Sequence, residues 1–248
     1  MVQGDFRLFE GKKLMNSNIK ALREKVCQAN IDLVKYDLVT LTWGNVSGID
    51  RDEGLVAIKP SGVDYDALQP EHMVIVDLEG NVVESDFRAS SDTPTHVRLY
   101  QEFESIEGVA HSHSLYATMF CQACQEIPCF GTTHADHFHG NVPLARFLTE
   151  EEVSEDYEGN TGTVIIERFA NLNPAEIPGV LVSGHAPFSW GKSPVDAVRN
   201  LLILERVARI AIGTLHLDSE ANSLPEHILN KHYERKHGPE AYYGQKNN

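Results

Sequence analysis

The sequence predicts a layered α/β domain built on a mixed sheet. Two observations carry this: long stretches of helical apolar period alternate with short strand-like runs, and a hairpin signal makes the sheet something other than purely parallel. Leu22, Val26, Ala29 and Leu33 recur at helical spacing, which predicts an amphipathic helix from Asn18 to about Lys35. Leu38 to Trp43 is rich in Val, Leu, Thr and Trp and reads as a strand broken by Gly44-Asn45. Leu55 to Lys59 is a second short strand, stopped by Pro60-Ser61-Gly62. Met73 to Leu78 and Asn81 to Glu84 flank Glu79-Gly80 and predict the hairpin.

Further along, Asp92 or Thr93 can cap a helix with Pro94 at its first position and Val97 to Phe103 as its body. A strand from Gly108 delivers His111 and His113, and a helix follows from Leu115 to Gln125. Gly131 to Gly140 reads as a loop with an unusual density of polar groups. Glu150 to Tyr157 reads as an acidic, exposed helix, and Thr163 to Phe169 is ambiguous between helix and strand. Gly179 to His185 is a second apolar strand ending in a histidine. Ser193-Pro194 starts a long core helix whose Val198, Leu201, Leu202, Leu204, Val207, Ile210 and Ala211 give a wide apolar face. A helical tail runs from Pro225 to His237.

A chain of 248 residues, 42% of them hydrophobic, can bury one substantial core, so a single domain is expected over residues 15–248. Residues 1–14 carry mixed charge without a clear period and read as an N-terminal extension, disordered or not native. The formal charge of -15 argues against nucleic acid or an anionic membrane as partner. No apolar run approaches a membrane span and no signal-peptide core is present, which points to the cytoplasm. Cys27, Cys121, Cys124 and Cys129 lack secretory context, so they predict no disulfide framework, and Cys121-x-x-Cys124 falls inside an apolar helical run rather than a redox motif.

Two groups of residues carry candidate chemistry. His111 and His113 project from one face of a strand, and His185 ends another, so the three can surround a metal ion and leave a position open, as catalytic zinc sites do. Gly44-Asn45, Ser61-Gly62 and Ser90-Ser91 offer small residues, hydroxyls and backbone N–H groups, and Lys59 adds a positive charge. Those are the components of a phosphate cradle. Together the two groups suggest a small phosphorylated substrate.

The motifs Thr42-Trp-Gly-Asn-Val-Ser47, Lys59-Pro-Ser-Gly-Val63, Ser90-Ser-Asp-Thr-Pro-Thr-His96, His111-Ser-His113, Gly131-Thr-Thr-His-Ala-Asp136, His185, Lys236-His-Gly and Tyr242-Tyr-Gly-Gln245 resemble those of the class II aldolase and ribulose-phosphate epimerase family, the match running from about Met15 to Gln245. The resemblance implies a three-layer α/β/α fold with a central mixed, largely antiparallel sheet. It implies a divalent metal, Zn2+ first, on His111, His113 and His185 with Asp92 beside them, and phosphate binding by Asn45, Lys59, Ser61, Gly62, Ser90 and Ser91. A cyclic homotetramer with active sites between subunits is also implied. Aldolases of the family carry Glu after the two serines, whereas this chain has Asp92, as the epimerases do.

The activity expected from the resemblance is inversion of C4 of L-ribulose 5-phosphate to give D-xylulose 5-phosphate by retro-aldol cleavage and re-addition, as in arabinose catabolism. Its two acid/base roles fall to Asp136 and to Tyr243, the tyrosine contributed by an adjacent subunit. An aldolase cleaving a related sugar phosphate is the alternative. A non-enzymatic module, as in cytoskeletal relatives, would be expected to lack the histidines that are present here.

Overall fold

The structure, a computed structural model, describes residues 3–243, with side chains from Asn18 onward. Helix α1 spans Gln3–Lys35, so helical backbone runs through most of the predicted extension, whose side chains lie outside the described residues, as does that of Met15. Gln245, part of the last motif, lies outside them as well.

Eight strands form one sheet: β1 Gly44–Asp50, β2 Leu55–Ile58, β3 Val74–Asp77, β4 Val82–Glu84, β5 Gly108–Ser112, β6 Leu144–Ala145, β7 Gly179–Val182 and β8 Pro187–Gly191. Their order is β4-β3-β2-β1-β5-β8-β7-β6. Every pairing is antiparallel except β6 with β7. The remaining helices are α2 Thr93–Glu102, α3 Leu115–Ala123, α4 Thr132–Ala135, α5 Glu150–Arg168, α6 Pro194–Leu217 and α7 Glu226–His237.

Strand alternation explains the layers. Val46, Ala57, Ile75 and Ala110 point to one face and pack with Leu22, Val26 and Leu33 of α1 and Val198 and Leu201 of α6. Val56, Ile58, Val74, Val76 and Val109 point to the other face, among Val97 and Tyr100 of α2 and Val164 and Ile165 of α5. Helices therefore cover both faces of a mixed, largely antiparallel sheet, which is the expected three-layer α/β/α arrangement. Among the described residues, no helix is long and apolar enough to cross a membrane.

Several local expectations are corrected. Leu38 to Trp43 is not a strand. The amide of Leu38 donates to the Leu33 carbonyl, with Asp37 in left-handed conformation, so this segment closes α1 instead. Leu41 and Trp43 are exposed. The ladder starts at Gly44, opposite Ser112, where a Cβ would stand 2.7 Å from the His111 carbonyl oxygen. Pairing with β5 overrides the turn-like composition of Gly44-Asn45-Val46-Ser47-Gly48. Buried Asn30 of α1 secures the new strand: its side chain accepts from the Val46 amide and donates to the Val46 carbonyl. No strand is foreseen over Pro187–Gly191, yet β8 forms between β5 and β7. The acidic helix and the ambiguous segment after it are one helix, α5, with a non-helical Asp156 (φ -162°, ψ 81°) inside. The polar loop from Gly131 contains the short helix α4.

Candidate active site

The register of the sheet builds the site. Asn45 of β1 pairs with His111 of β5, which pairs in turn with Phe188 of β8. His111 is buried, its ring stacks on Phe188 at 4.2 Å, and its Nδ1 lies 3.0 Å from the Pro187 carbonyl. A carbonyl can only accept, so Nδ1 carries a proton and Nε2 is the nitrogen turned towards Asp92. His113 comes just past the end of β5, and His185 sits in the turn between β7 and β8. The three ring centroids are 5.0 to 5.2 Å apart, and one nitrogen from each lies within 4.8 Å of the others.

Burial, reinforced by the neighbouring imidazoles, pulls His113 down to about 4 and His185 to about 3, against an opposing pull from Asp92. Both are neutral at pH 7, the form that binds a metal. The donor set fits a divalent ion of the zinc type: three imidazoles converge, and the buried Nδ1 of His185 has no hydrogen-bond partner among the described residues. Asp92 stands beside them, with Oδ2 4.0 Å from His111 Nε2 and 2.6 Å from the Asn45 amide nitrogen. It occupies the N-cap of α2 without capping it, which leaves its carboxylate facing the site. Burial alone would raise that carboxyl, but His111, His96 and the hydrogen bond from Asn45 hold it below the ordinary range.

One cavity joins the triad and Asp92 to Asn45, Lys59, Ser61, Gly62, Ser90 and Ser91. The two loops that form the cradle are tied together, since Ser61 N donates to Arg88 O and Ser90 N to Lys59 O. Gly62 has φ +67°, a left-handed conformation that suits glycine. The Lys59 ammonium is buried and donates to the carbonyls of Val63 (2.7 Å) and Pro60 (3.3 Å). Burial lowers its pKa to about 8, with Asp64 opposing.

The same cavity holds Tyr157 and Glu158, which sequence reasoning missed. They enter because α5 breaks at Asp156, whose carboxylate pairs with Arg98 of α2 at 3.0 Å and accepts from the Gly159 amide. His96, the last residue of the Ser90–His96 motif, is buried. Its Nδ1 is hydrogen-bonded to Ser47 Oγ at 2.7 Å, and Ser47 in turn meets the Tyr100 hydroxyl at 2.8 Å, a polar string beneath the metal residues.

Asp136 and Tyr243 are not among the residues lining this cavity. The Asp136 carboxylate accepts from Arg235 (2.7 and 2.8 Å) and His232 (3.0 Å), with Lys236 at 3.4 Å. The Tyr243 ring lies 5.0 Å from the Arg235 guanidinium and 4.4 Å from the Lys236 ammonium. Within one chain, therefore, the two predicted acid/base residues are brought to the same pair of basic side chains, Arg235 and Lys236, and not to the triad.

Fold and triad together define a class II aldolase type of protein, and the chain belongs to that family. The family profile described as "Class II Aldolase and Adducin N-terminal domain" matches residues 24–212. Within the family, the chain is 51% identical over 228 residues to the L-ribulose-5-phosphate 4-epimerase UlaF of Salmonella typhi and to that of Salmonella paratyphi A, covering 92% of this chain and 100% of each relative. Among solved structures, an L-fuculose 1-phosphate aldolase superposes with a TM-score of 0.73 at 25% identity, over 87% of this chain and 95% of that one. The L-fuculose-1-phosphate aldolase of Thermus thermophilus shares the fold, with a TM-score of 0.64 at 23% identity over 82% of this chain and 98% of that one.

Proposed function

We propose that the protein is a divalent-metal-dependent L-ribulose-5-phosphate 4-epimerase that gives D-xylulose 5-phosphate. The observation that carries this reading is the single cavity holding both the histidine triad and the phosphate cradle, in a chain 51% identical to relatives named for that reaction. The C4 proton of the substrate is one carbon too far from the C2 carbonyl to be acidic, so inversion proceeds by opening and re-forming the C3–C4 bond. His111, His113 and His185, with Asp92 adjacent, would hold a divalent ion such as Zn2+, which when bound would supply Lewis-acid stabilisation of negative charge developing on the substrate.

The chain's own residues do the rest. Lys59, Asn45, Ser61, Gly62, Ser90 and Ser91 hold the phosphate, and so retain the two-carbon aldehyde fragment while it turns its other face. Asp136 and Tyr243 exchange the proton of the C4 oxygen, one on each face. Because both stand beside Arg235 and Lys236, outside the cavity of their own chain, they are supplied to a neighbouring copy's site, in keeping with a cyclic homotetramer that has its active sites at subunit interfaces. A cytoplasmic enzyme of pentose use, arabinose catabolism included, fits this chemistry.

The test is to incubate purified protein with L-ribulose 5-phosphate and identify products by NMR. D-xylulose 5-phosphate is expected. Accumulation of free glycolaldehyde phosphate identifies an aldolase instead, and no turnover with any divalent ion removes the enzymatic reading.

A further inference from the structure

The three histidines are not held alike. His111 is gripped by the ladder on both sides, by its stacking on Phe188 and by the Pro187 carbonyl. His113 has none of these supports: it is the most exposed of the three, lies one residue beyond β5, and its ring makes no hydrogen bond among the described residues. Helix α3 begins almost immediately after it, and the N-cap of that helix, Ser114, makes no side-chain cap.

Glu205, from the middle of α6, takes over that role. Its Oε1 accepts from the Tyr116 amide and its Oε2 from the Ala117 amide, both at 2.9 Å. The residue is 8% exposed, among buried residues of α6 that include Val198, Leu201, Leu204 and Ala208. A buried carboxylate is tolerated only where its oxygens are hydrogen-bonded, and these two amides, at the positive end of a helix, answer that need. At its other end, α3 offers the Cys121 carbonyl to the amide of Gly184, the residue before His185. Gly184 is left-handed (φ +68°), and a Cβ there would stand 2.5 Å from the Phe147 ring, so this turn has little room to adjust. Helix α3 is thus a bracket between two metal-site histidines, and one carboxylate fastens its first turn to α6.

We propose that Glu205 is a positioning residue for the metal centre, setting the separation of His113 and His185 through α3. This rests on the metal reading above. The test compares Glu205→Gln, which keeps one acceptor oxygen, with Glu205→Leu, which keeps none. Zn2+ affinity is measured by competition with a chromophoric chelator, and the visible absorption of the Co2+-substituted protein reports the site's geometry. Glu205→Leu should weaken Zn2+ binding about 10- to 100-fold, the range typical of groups that orient metal ligands. Glu205→Gln should weaken it less, and both should shift the Co2+ bands while circular dichroism stays native.

Should Glu205→Leu fail to fold, Glu205→Gln decides the question. Adding Glu205→Gln to His113→Asn should cost little further affinity, since the ligand it positions is already gone. Wild-type Zn2+ affinity and an unchanged Co2+ spectrum in a folded Glu205→Gln protein overturn the inference and leave the metal site intact. If the wild type itself fails to hold Zn2+, the metal reading falls, and this inference with it.

Discussion

Asp136 and Arg235, 99 positions apart in the chain, form a charge pair in which one guanidinium meets both carboxylate oxygens, at 2.8 and 2.7 Å. This contact does much to dock α7, which buries no residue of its own. Burial raises the Asp136 carboxyl, but the hydrogen bonds from Arg235 and His232 and the charge of Lys236 outweigh it and hold the group at about 2.

Docking of the tail is consequently predicted to be acid-labile. The folded pKa of Asp136 is depressed from its ordinary 3.8. Its stabilisation is therefore fully present above about pH 4 and lost as pH falls towards 2. Proteolysis with pepsin over that window should release the α7 segment before the core unfolds. Arg235→Ala should free the same segment at neutral pH, where trypsin can report it. Equal protease resistance of variant and wild type would show that other contacts hold the tail.

Arg235 also contacts both Asp136 and the Tyr243 ring of its own chain, which sets what subunit mixing should show. Co-refolding Asp136→Asn with Tyr243→Phe should leave activity near that of the parents, because every interface then carries one defect. His111→Asn mixed with Asp136→Asn should recover activity. In a closed ring with random mixing, about a quarter of interfaces combine an intact triad from one chain with an intact acid/base pair from its neighbour. Recovery in the first mixture and none in the second would restore the division of Asp136 and Tyr243 between two chains.

How much of this was legible in the sequence depended on range. His111, His113 and His185 could be picked out because strand ends and H-x-H spacing are local features, and the cradle because Lys59, Ser61-Gly62 and Ser90-Ser91 mark turns. Tyr157 and Glu158 were invisible, since they reach the cavity only through the break at Asp156, and that break is held by Arg98, 58 positions away. The strand at Gly44 was misplaced because its residues are poor strand formers, and its existence depends on pairing with β5 and on Asn30. The position of Asp136 was legible by motif, but its partner Arg235 was not, since nothing local ties residue 136 to residue 235.

Removing one imidazole should empty the metal centre. His111→Asn, His113→Asn and His185→Asn each leave two nitrogens where three lie within 4.8 Å of one another. Elemental analysis should find about one Zn2+ per wild-type chain and less than about a tenth of that in each variant after dialysis, with turnover lost in parallel. Dialysis of the wild type against a chelator should abolish activity, and Zn2+ should restore it. Stoichiometric metal in all three variants would put the ion elsewhere.

The cradle should show its own pH signature, because Lys59 is a buried ammonium whose Nζ, among the described residues, donates to the Val63 and Pro60 carbonyls and lies over the face of Tyr65, 4.9 Å away. Burial lowers its pKa to about 8. The free enzyme therefore presents a cation to the phosphate below pH 8 and a neutral amine above it. Since kcat/KM reports the free enzyme, it should fall about tenfold per pH unit above pH 8. In the complex, the bound phosphate favours the charged ammonium and raises its pKa, so kcat should stay level over the same window. Loss of one charge-assisted hydrogen bond, worth about 1.5 to 3 kcal/mol, predicts that Lys59→Ala raises KM roughly 10- to 100-fold at pH 7. That variant should also lack the alkaline decline, and so should Lys59→Arg, which stays charged throughout the window. A decline that persists at pH 8 in Lys59→Ala would assign the titration to another group and remove Lys59 from phosphate binding.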